Sequence, residues 1–487
     1  MAKYLYVAVT AIMMSRPYLL LPAGGATCPG GLTALPPARS ACALRTCLAA
    51  LAAVFGYADA VMLDPRFIRE HSDAVRRAIR HKQMHSLEEK LDQLLTLDEE
   101  HRLLRSDLEE KQARRNTESK RIGELKRRGE NADELIHAMG KLANEVKRVE
   151  ERARSTAEQL DELLLEMPNL PDESVPYGES EFDNVVVHER GELPSFQFEP
   201  QPHWDLADER EWIDLEAGAK IAGSGFPVFK GDGARLVRAL VQYFLNVLTD
   251  EGYVEVAPPL LVNAASATAT GQLPDKEGQM YTVSDGFYLI PTSEVSVTNL
   301  HRDQILEATE LPLKYAAYTA NFRREAGSYG KDVRGINRVH QFDKVEMVQF
   351  VMPESSFEVL EDMTETSEGI LEALGLPYRR LLMCTGDMGF TQAKKYDLEV
   401  WSGGQERWLE VSSISNIADF QARRLMTRFR EGGAGGQGRP EFVHTLNGSA
   451  LALPRTVAAI IENYQNEDGT VNVPDVLRPY FGKLLME

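Results

Sequence analysis

The sequence contains few cysteines, and they are unevenly placed. Of the four in 487 residues, Cys28, Cys42 and Cys47 lie in the first 50 residues, and only Cys384 lies beyond them. The rest of the chain therefore offers neither a disulfide framework nor a cysteine-rich zinc site, which is typical of proteins in a reducing compartment. We expect a cytoplasmic protein that uses no zinc.

Acidic residues are almost missing from residues 1–61, where Asp59 is the only one, although the whole chain has a formal charge of −20. This leader contains short apolar runs such as YLYVAVTAIMM, which are too short to indicate a membrane span. Two interpretations stay open: a signal or transit peptide, or a start assigned too early, with the true start at Met62. On either interpretation we expect residues 1–61 to lie outside the fold and expect no membrane anchor.

The chain also lacks the phosphate-binding pattern G-x-x-x-x-G-K-[ST]. A G-x-G-x-x-G pattern does occur, as GAGGQG at residues 433–438, but it follows the apparent helix FQARRLMTRFR and precedes Arg439 and Pro440. A dinucleotide site needs a strand before this pattern and a helix after it. We therefore predict a flexible surface loop.

Residues 87–167 have the pattern of two long helices. Leu87, Leu94, Leu97, Leu104 and Leu108 form an apolar stripe in the first half. In the second half, spacings of four and three connect Leu135, Met139, Leu142, Val146, Val149, Ala153, Leu160, Leu163 and Met167, and Thr156 interrupts this stripe. The segment RRGENAD between the halves is typical of a turn, so the helices must run antiparallel. We predict an arm about 60 Å long, at 1.5 Å per residue.

The far half of this arm is basic. Its cationic side chains are Lys111, Arg114, Arg115, Lys120, Arg121, Lys126, Arg127 and Arg128. A charge run of this kind is often only a solvated helix surface. The alternative, which we favour, is a surface that binds a long polyphosphate such as structured RNA.

Prolines end the helical pattern at Pro168, Pro171 and Pro176. We place the arm domain at residues 62–171, a linker at 172–195 and a second domain at 196–487. Beyond the prolines, FDNVVVHE, YVEVAPPLLV, GFYLIP and LEVSSIS are predicted strands, and residues 234–249 and 456–465 are predicted helices. Without regular βαβ alternation, this order favours an α+β domain with a mainly antiparallel sheet.

Three stretches of the second domain contain side chains of the kinds that bind a nucleotide. YTANFRREAG and RVHQFDKVEMVQF form a predicted hairpin whose base displays Arg323, a phosphate ligand, and Glu325, an acceptor for an adenine amino group. A salt bridge between these two side chains is the structural alternative. Glu410 and Ser413 in LEVSSISN suit magnesium. Arg455 stands at the head of an apolar helix, where a phosphate is favoured.

These stretches resemble the class II aminoacyl-tRNA synthetases, and from Met62 onward the chain resembles the bacterial-type seryl-tRNA synthetases. GYVEVAPPLLV, with Pro259, is similar to the first class-defining motif and implies a homodimer. FRREAGSYGKDVRGINRVHQFDKVE is similar to the second motif and NGSALALPRT to the third. The resemblance implies a class II antiparallel sheet core, preceded by a coiled-coil arm that binds the tRNA.

The resemblance also implies an activity and its residues. It implies ATP-dependent attachment of L-serine to tRNA(Ser), and also to tRNA(Sec), through seryl-adenylate. Arg323 and Arg455 would be catalytic. The implied serine site is Thr292, Ser293, Glu294, Arg323, Glu346 and Ser449. The implied ATP site is Arg323, Arg324, Glu325, Val339, Glu410, Val411, Ser412, Ser413 and Arg455, with Mg²⁺ on Glu410 and Ser413.

The chain departs from the family pattern at four positions, namely Ser293, Arg324, Ala450 and Pro454, and these leave the local backbone geometry open. Two related functions also stay open. A relative that charges a carrier protein would be expected to lack the long arm. A non-catalytic RNA-binding paralogue would be expected to lose charges such as Arg323, Glu410 or Arg455, all of which are present.

Overall fold

The computed structural model describes residues 63–325, 334–432, 436 and 438–487, which belong to one compact unit, Ala60–Glu487. The predicted leader, the hairpin loop at residues 326–333 and most of the GAGGQG segment lie outside the described residues. Within the described part of the chain, no helix is long and apolar enough to cross a membrane.

The arm begins with two short helices, α1 (Pro65–Glu70) and α2 (Ser72–His81). Two long helices follow, α3 (Glu88–Arg127) and α4 (Asp133–Glu166). The predicted turn lies between them, where Gly129 adopts a left-handed φ of +72°, a conformation that costs glycine little. Forty residues at 1.5 Å each make α3 about 60 Å long, as predicted.

The long helices run antiparallel and meet along the predicted stripe. Lys90 near the start of α3 forms an ion pair with Glu166 at the end of α4, and Arg152 donates to Glu100 over 2.8 Å. Leu164 is buried where the heptad pattern predicted Leu163. The reason is that a helix turns every 3.6 residues, so a strict seven-residue stripe drifts around its surface.

The base of the arm is packed, whereas the half that contains the turn is mostly exposed to solvent. The base forms one apolar cluster with α1 and α2. The buried members are Leu63, Ile68, Val75, Ile79, Leu87, Leu91, Leu94, Leu160, Leu164 and Met167. The far half contains only one buried side chain between residues 111 and 141, Ala132. Six of the eight basic residues of this half are exposed, and Lys111 and Arg115 are half-buried.

The second domain is built on an eight-stranded sheet in the order β1-β11-β12-β13-β16-β10-β9-β4. Its strands are β1 (Val185–Arg190), β4 (Val254–Glu255), β9 (Leu313–Phe322), β10 (Gln341–Val351), β11 (Tyr378–Leu382), β12 (Lys394–Ser402), β13 (Arg407–Ala418) and β16 (His444–Ala452). Neighbours pair antiparallel except β4 with β9, which confirms the predicted fold class. Strand β1 lies inside the predicted linker segment.

Helices cover the sheet, and small sheets surround it. The further helices are α5 (His203–Glu209), α6 (Leu215–Ile221), α7 (Gly231–Asp250), α8 (Ala264–Ala269), α9 (Glu294–Thr298), α10 (Ser356–Ala373), α11 (Phe420–Leu425), α12 (Leu453–Asn463) and α13 (Arg478–Phe481). The further strands are β2 (Ile213–Asp214), β3 (Val228–Phe229), β5 (Leu261–Val262), β6 (Tyr281–Thr282), β7 (Tyr288–Leu289), β8 (Ile305–Glu307), β14 (Arg428–Arg430), β15 (Glu441–Phe442), β17 (Val471–Asn472) and β18 (Leu485–Met486). The main core lies between the sheet and α7, α10 and α12.

The helix predicted over FQARRLMTRFR is too long. It ends at Leu425 because Met426 adopts a left-handed φ of +55°, and strand β14 follows. The glycine-rich segment therefore connects β14 to β15, which pair antiparallel. A dinucleotide fingerprint would need a helix after this segment, but strand β15 follows it instead.

Buried polar groups join the base of the arm to the second domain. The Lys82 ammonium donates to the carbonyls of Gly389, Phe390 and Gln392 over 3.0, 3.4 and 2.7 Å. Burial lowers the pKa of Lys82 to about 7. The Arg424 guanidinium donates to the Leu165 carbonyl of α4 over 3.1 Å. These hydrogen bonds give the buried Lys82 and Arg424 side chains acceptors on the opposite side of the junction.

Candidate active site

A cavity of about 600 Å³ opens on one face of the large sheet. Its walls come from β10, β12, β13 and β16, from residues 323–325 and 336–339 of the β9–β10 hairpin, and from the start of α12. The segments 271–279, 291–294 and 387–392 complete the lining. This volume is in the range of small-molecule sites. The lining is rich in charged residues, and the cavity therefore suits a polar, charged ligand.

A β-bulge in β13 brings Glu410 and Ser413 to the same face. In a regular strand, residues three apart point to opposite faces. Here Leu398 pairs with Ser412 while the next residue of β12, Glu399, pairs with Glu410, so Val411 is an extra residue. This insertion reverses the alternation between the two positions, and both Glu410 and Ser413 line the cavity.

A second bulge lies in β16 at Ala450, one of the four departures from the family pattern. Val345 pairs with Leu451 and Glu346 with Ser449, which leaves Ala450 as the extra residue. Ala450 is buried and does not adopt a positive φ, so the position does not require glycine. Pro454 occupies the first turn of α12, where a missing N–H costs nothing.

One end of the cavity holds two buried carboxylates, Glu294 and Glu346. The Asn447 amide donates to both, over 3.2 Å to Glu294 and 3.3 Å to Glu346. Lys344 forms an ion pair with Glu346 and donates to the Thr292 hydroxyl over 2.9 Å. The arrangement places negative charge beside hydroxyl groups, which suits a ligand that carries an ammonium group.

Glu294 is poised to titrate near neutral pH. Burial is the main cause and the negative charge of Glu346 the second, and together they raise the pKa of Glu294 to about 7. The Gln421 amide opposes this shift by donating to Glu294 over 2.6 Å. A cationic ligand group between the two carboxylates would favour the ionised form of both.

Residues at the base of the β9–β10 hairpin line the middle of the cavity. The Arg323 guanidinium donates to the Pro291 carbonyl over 3.4 Å and lies 5.2 Å from the centre of the Phe342 ring. Glu325 adopts a left-handed φ of +47° and pairs with Arg338 over 3.0 Å. A non-glycine residue in this conformation is uncommon and often marks a functional site.

The other end of the cavity combines cations with Glu410. Arg455 Nη1 donates to the Glu410 carbonyl over 2.7 Å and lies 3.6 Å from its carboxylate. Removal from water acts to raise the pKa of Glu410, but the positive charges of Arg455, Lys395 and Arg323 outweigh it and lower that pKa. Glu410 therefore stays ionised beside several cations, an arrangement that suits phosphate groups and a metal ion.

The donor set at this end fits magnesium. The ionised Glu410 carboxylate is 46% exposed, and the Ser413 hydroxyl shares its face through the bulge. Behind them, Asp397 pairs with Lys395 over 3.0 Å. One oxygen of Asp397 is buried without a partner among the described residues. Oxygen ligands of this kind are those that Mg²⁺ prefers.

The structure brings most of the predicted site residues to this one cavity. The lining includes Thr292, Glu294, Arg323, Glu325, Val339, Glu346, Glu410, Val411, Ser412, Ser413, Ser449 and Arg455. Ser293 is buried beside it, and its hydroxyl has no partner within the described chain. Arg324 donates its backbone N–H to Gln279 and does not line the cavity. The predicted tRNA-binding residues lie apart from it, on the arm.

Sequence reasoning missed several polar lining residues. Lys344, Asn447, Arg338 and Lys395 all line the cavity. The first two lie in strands that are otherwise buried. A polar residue at a buried strand position is the signal that could have identified Lys344 and Asn447, because a buried polar group needs a hydrogen-bond partner.

Two families match complementary parts of the chain. The seryl-tRNA synthetase N-terminal domain matches residues 62–171, and the tRNA synthetase class II core domain (G, H, P, S and T) matches residues 281–464. The serine–tRNA ligase of Salinibacter ruber is 52% identical over 86% of this chain and 98% of its own length. The chain belongs to the seryl-tRNA synthetase family. The predicted enzyme class, a class II aminoacyl-tRNA synthetase of the serine–tRNA ligase type, is thereby confirmed.

Other family members agree over the same extent. The serine–tRNA ligase of Exiguobacterium sibiricum is 50% identical over 87% of this chain and 99% of its own. The crystal structure of seryl-tRNA synthetase from Pyrococcus horikoshii complexed with ATP has a TM-score of 0.82 at 34% identity, and covers 87% of this chain and 99% of its own. The cytoplasmic serine–tRNA ligase of Naegleria fowleri in complex with AMP gives a TM-score of 0.77 at 28% identity, with coverage of 88% of this chain and 99% of its own.

Proposed function

We propose that this chain attaches L-serine to tRNA(Ser), and also to tRNA(Sec), in two steps through seryl-adenylate, with ATP as substrate and Mg²⁺ as cofactor. The observation that supports it most is one cavity in which buried carboxylates at one end face the cationic side chains of Arg455 and Lys395, together with Glu410, at the other. Serine carries an ammonium group that would face these carboxylates and a carboxylate that would face the cations, and ATP adds three phosphates on the cationic side. The two ends of the cavity match that distribution of charge.

In the first step, the serine carboxylate attacks the α-phosphate of ATP and pyrophosphate leaves. Both partners are anions, so the protein must neutralise and align them. Arg323 would bind the α-phosphate and the serine carboxylate, Glu325 the adenine amino group and Arg455 the γ-phosphate. Mg²⁺ held by Glu410 and Ser413 would supply further positive charge at the phosphates. In the second step, the acyl group passes to the terminal ribose of the tRNA.

Selection of serine follows from the polar end of the cavity. Glu294 and Glu346 would bind the ammonium, while Thr292 and Ser449 surround the hydroxyl. A site that hydrogen-bonds a substrate hydroxyl rejects the analogue without it by about 10⁴–10⁵, because its own groups would stay unpaired. Alanine would be rejected in this way, and threonine by its additional methyl group.

The arm and the sheet edge support the proposed partners. The six exposed basic residues near the tip of the arm offer a contact surface for the phosphates of a tRNA. At the other end of the sheet, β4 is an edge strand on which Val254 is 58% exposed, and Leu261 nearby is 46% exposed. Such an exposed, apolar edge supports a homodimer. The small number of cysteines supports a location in the cytoplasm. The arm at 62–171, the linker at 172–195 and the catalytic domain at 196–487 remain our proposed domain limits.

The direct test is ATP–pyrophosphate exchange with the full chain, with serine as substrate and threonine, alanine and cysteine as controls. Exchange with serine alone would support the proposal. An Arg455→Ala variant, which lacks a phosphate ligand, should lose exchange while it keeps the fold. If a folded protein exchanges with none of the four amino acids, the catalytic proposal is wrong and the RNA-binding paralogue becomes the better interpretation.

A further inference from the structure

A fully buried histidine and glutamate pair lies behind the phosphate end of the cavity. His203 in α5 and Glu462 in α12 are both 0% exposed. The distance from His203 Nδ1 to the Glu462 carboxylate is 2.7 Å. Neither residue lines the cavity, and the reaction proposed above uses neither of them.

The hydrogen bonds determine which ring nitrogen of His203 carries the proton. The backbone N–H of Ile336 donates to His203 Nε2 over 3.1 Å, so Nε2 is an acceptor. His203 Nδ1 therefore carries the hydrogen and donates to Glu462. The imidazole is neutral, and it joins the Ile336 backbone to α12.

Several hydrogen-bond donors surround the Glu462 carboxylate. Its carboxylate accepts from the backbone N–H groups of His203 and Gly404 over 2.9 and 3.1 Å and from the Gln405 amide over 2.9 Å. The Ser402 hydroxyl also donates to it. Burial alone would raise the pKa of Glu462, but its interactions with His203 and the hydrogen bond from Ser402 outweigh burial and lower that pKa. A carboxylate with this many donors is rigidly placed.

The same network leads to Arg455. The Asn337 side chain donates to Gln405 over 2.9 Å, which closes a ring of contacts through Glu462, His203 and Ile336. The Asn337 carbonyl then accepts from Arg455 Nε over 3.0 Å. Arg455 is thus held by Asn337 on one side and by Glu410 on the other.

We propose that His203 is a positioning residue for ATP, an inference that rests on the proposed function. With Glu462, it holds residues 335–337 against α12 and so orients the Arg455 guanidinium at the phosphate end of the cavity. Gly335 shows how close the contact is. Its φ is +66°, and a Cβ on it would lie 2.2 Å from His203 Nε2.

The test uses two substitutions of His203 that separate its two hydrogen bonds. His203→Gln can place an oxygen near the former Nε2 and accept from Ile336, whereas His203→Asn is too short to reach it. We expect His203→Asn to lower kcat/KM for ATP by about 10- to 100-fold, the size of effect that a misplaced ligand group causes. KM for serine should stay unchanged, and His203→Gln should recover most of the loss.

A second variant and a double-mutant measurement distinguish a role in positioning ATP from a purely structural effect. Gly335→Ala should reproduce the ATP defect from the opposite side of the contact. His444→Gln is the matched control, because His444 bonds Ser356 over 2.8 Å elsewhere in the sheet and should alter thermal stability without altering KM for ATP. In an Arg455→Ala background, His203→Asn should cause no further loss of ATP affinity measured by calorimetry, since contacts that act together are not additive.

ATP binding measured by calorimetry separates this inference from the proposed function. A loss of ATP affinity in His203→Asn, with recovery in His203→Gln, would support the positioning role even in a protein without serine-dependent exchange. The inference would be overturned if both variants bind ATP like the unmodified protein. It would equally be overturned if His203→Asn weakens serine as much as ATP, or if its effect persists in full without Arg455.

Discussion

The affinity for serine should depend on pH through Glu294. This carboxyl has a pKa of about 7 in the folded protein, and the proposed serine site uses its ionised form. As the pH falls through 7, Glu294 takes up a proton and loses its charge. Serine binding should therefore be strong above pH 7 and weaken below it.

The size of the effect follows from the titration. For one group of pKa about 7, the ionised fraction falls roughly tenfold between pH 8 and pH 6. KM for serine should rise by about the same factor if the ammonium binds only the ionised form. The substrate ammonium remains protonated throughout this range, so it contributes no opposing change.

The assay is KM for serine in ATP–pyrophosphate exchange at pH 6, 7 and 8, with KM for ATP as an internal comparison. Glu294→Gln is the matched variant, because an amide has nearly the same shape and does not titrate. We expect it to weaken serine binding by about 2 kcal/mol, the contribution of a charged hydrogen bond, and to remove the pH dependence. A flat profile in the unmodified protein, or an unchanged slope in Glu294→Gln, would refute the reasoning.

Three further outcomes are expected. Glu410→Gln should raise the Mg²⁺ concentration needed for half-maximal exchange, since a carboxylate ligand is lost; an unchanged Mg²⁺ titration would argue against this site. Replacing Arg127 and Arg128 with alanine should weaken tRNA binding and reduce its salt slope by about one per lost phosphate contact, without altering pyrophosphate exchange. Lys82→Met should lower the free energy of unfolding by about 1–3 kcal/mol, because the hydrogen bonds of a charged donor across the domain junction are lost; denaturant unfolding would measure this change, with the exposed Lys220→Met as control.

The arm shows what a sequence predicts well. Its apolar stripe depends on neighbours three and four residues apart, so the pattern is local and can be counted along the chain. The turn before Asp133 follows in the same way from Gly129 and Asn131. Even here, the exact stripe shifts from Leu163 to Leu164, because helix geometry rather than sequence spacing decides which side chain faces the partner.

The arrangement of the residues in the candidate site could not be predicted from the sequence. Arg323, Glu410 and Arg455 could be chosen from charge and local context, but their meeting depends on the pairing of strands distant in sequence. The bulge at Val411 is the clearest case. It can be detected only by counting residues on β12 against those on β13, and without it Glu410 and Ser413 would point to opposite faces.

The polar residues behind the cavity extend this argument. His203 and Glu462 are 259 residues apart, and neither stands in a local pattern that marks it as functional. Their effect on Arg455 passes through backbone groups of Ile336 and Asn337, which carry no side-chain signal. A class II site of this kind is therefore determined at two levels. The charged residues that would bind the substrates can be found in the sequence. The groups that hold those residues in place can be identified only from the hydrogen bonds of the folded chain.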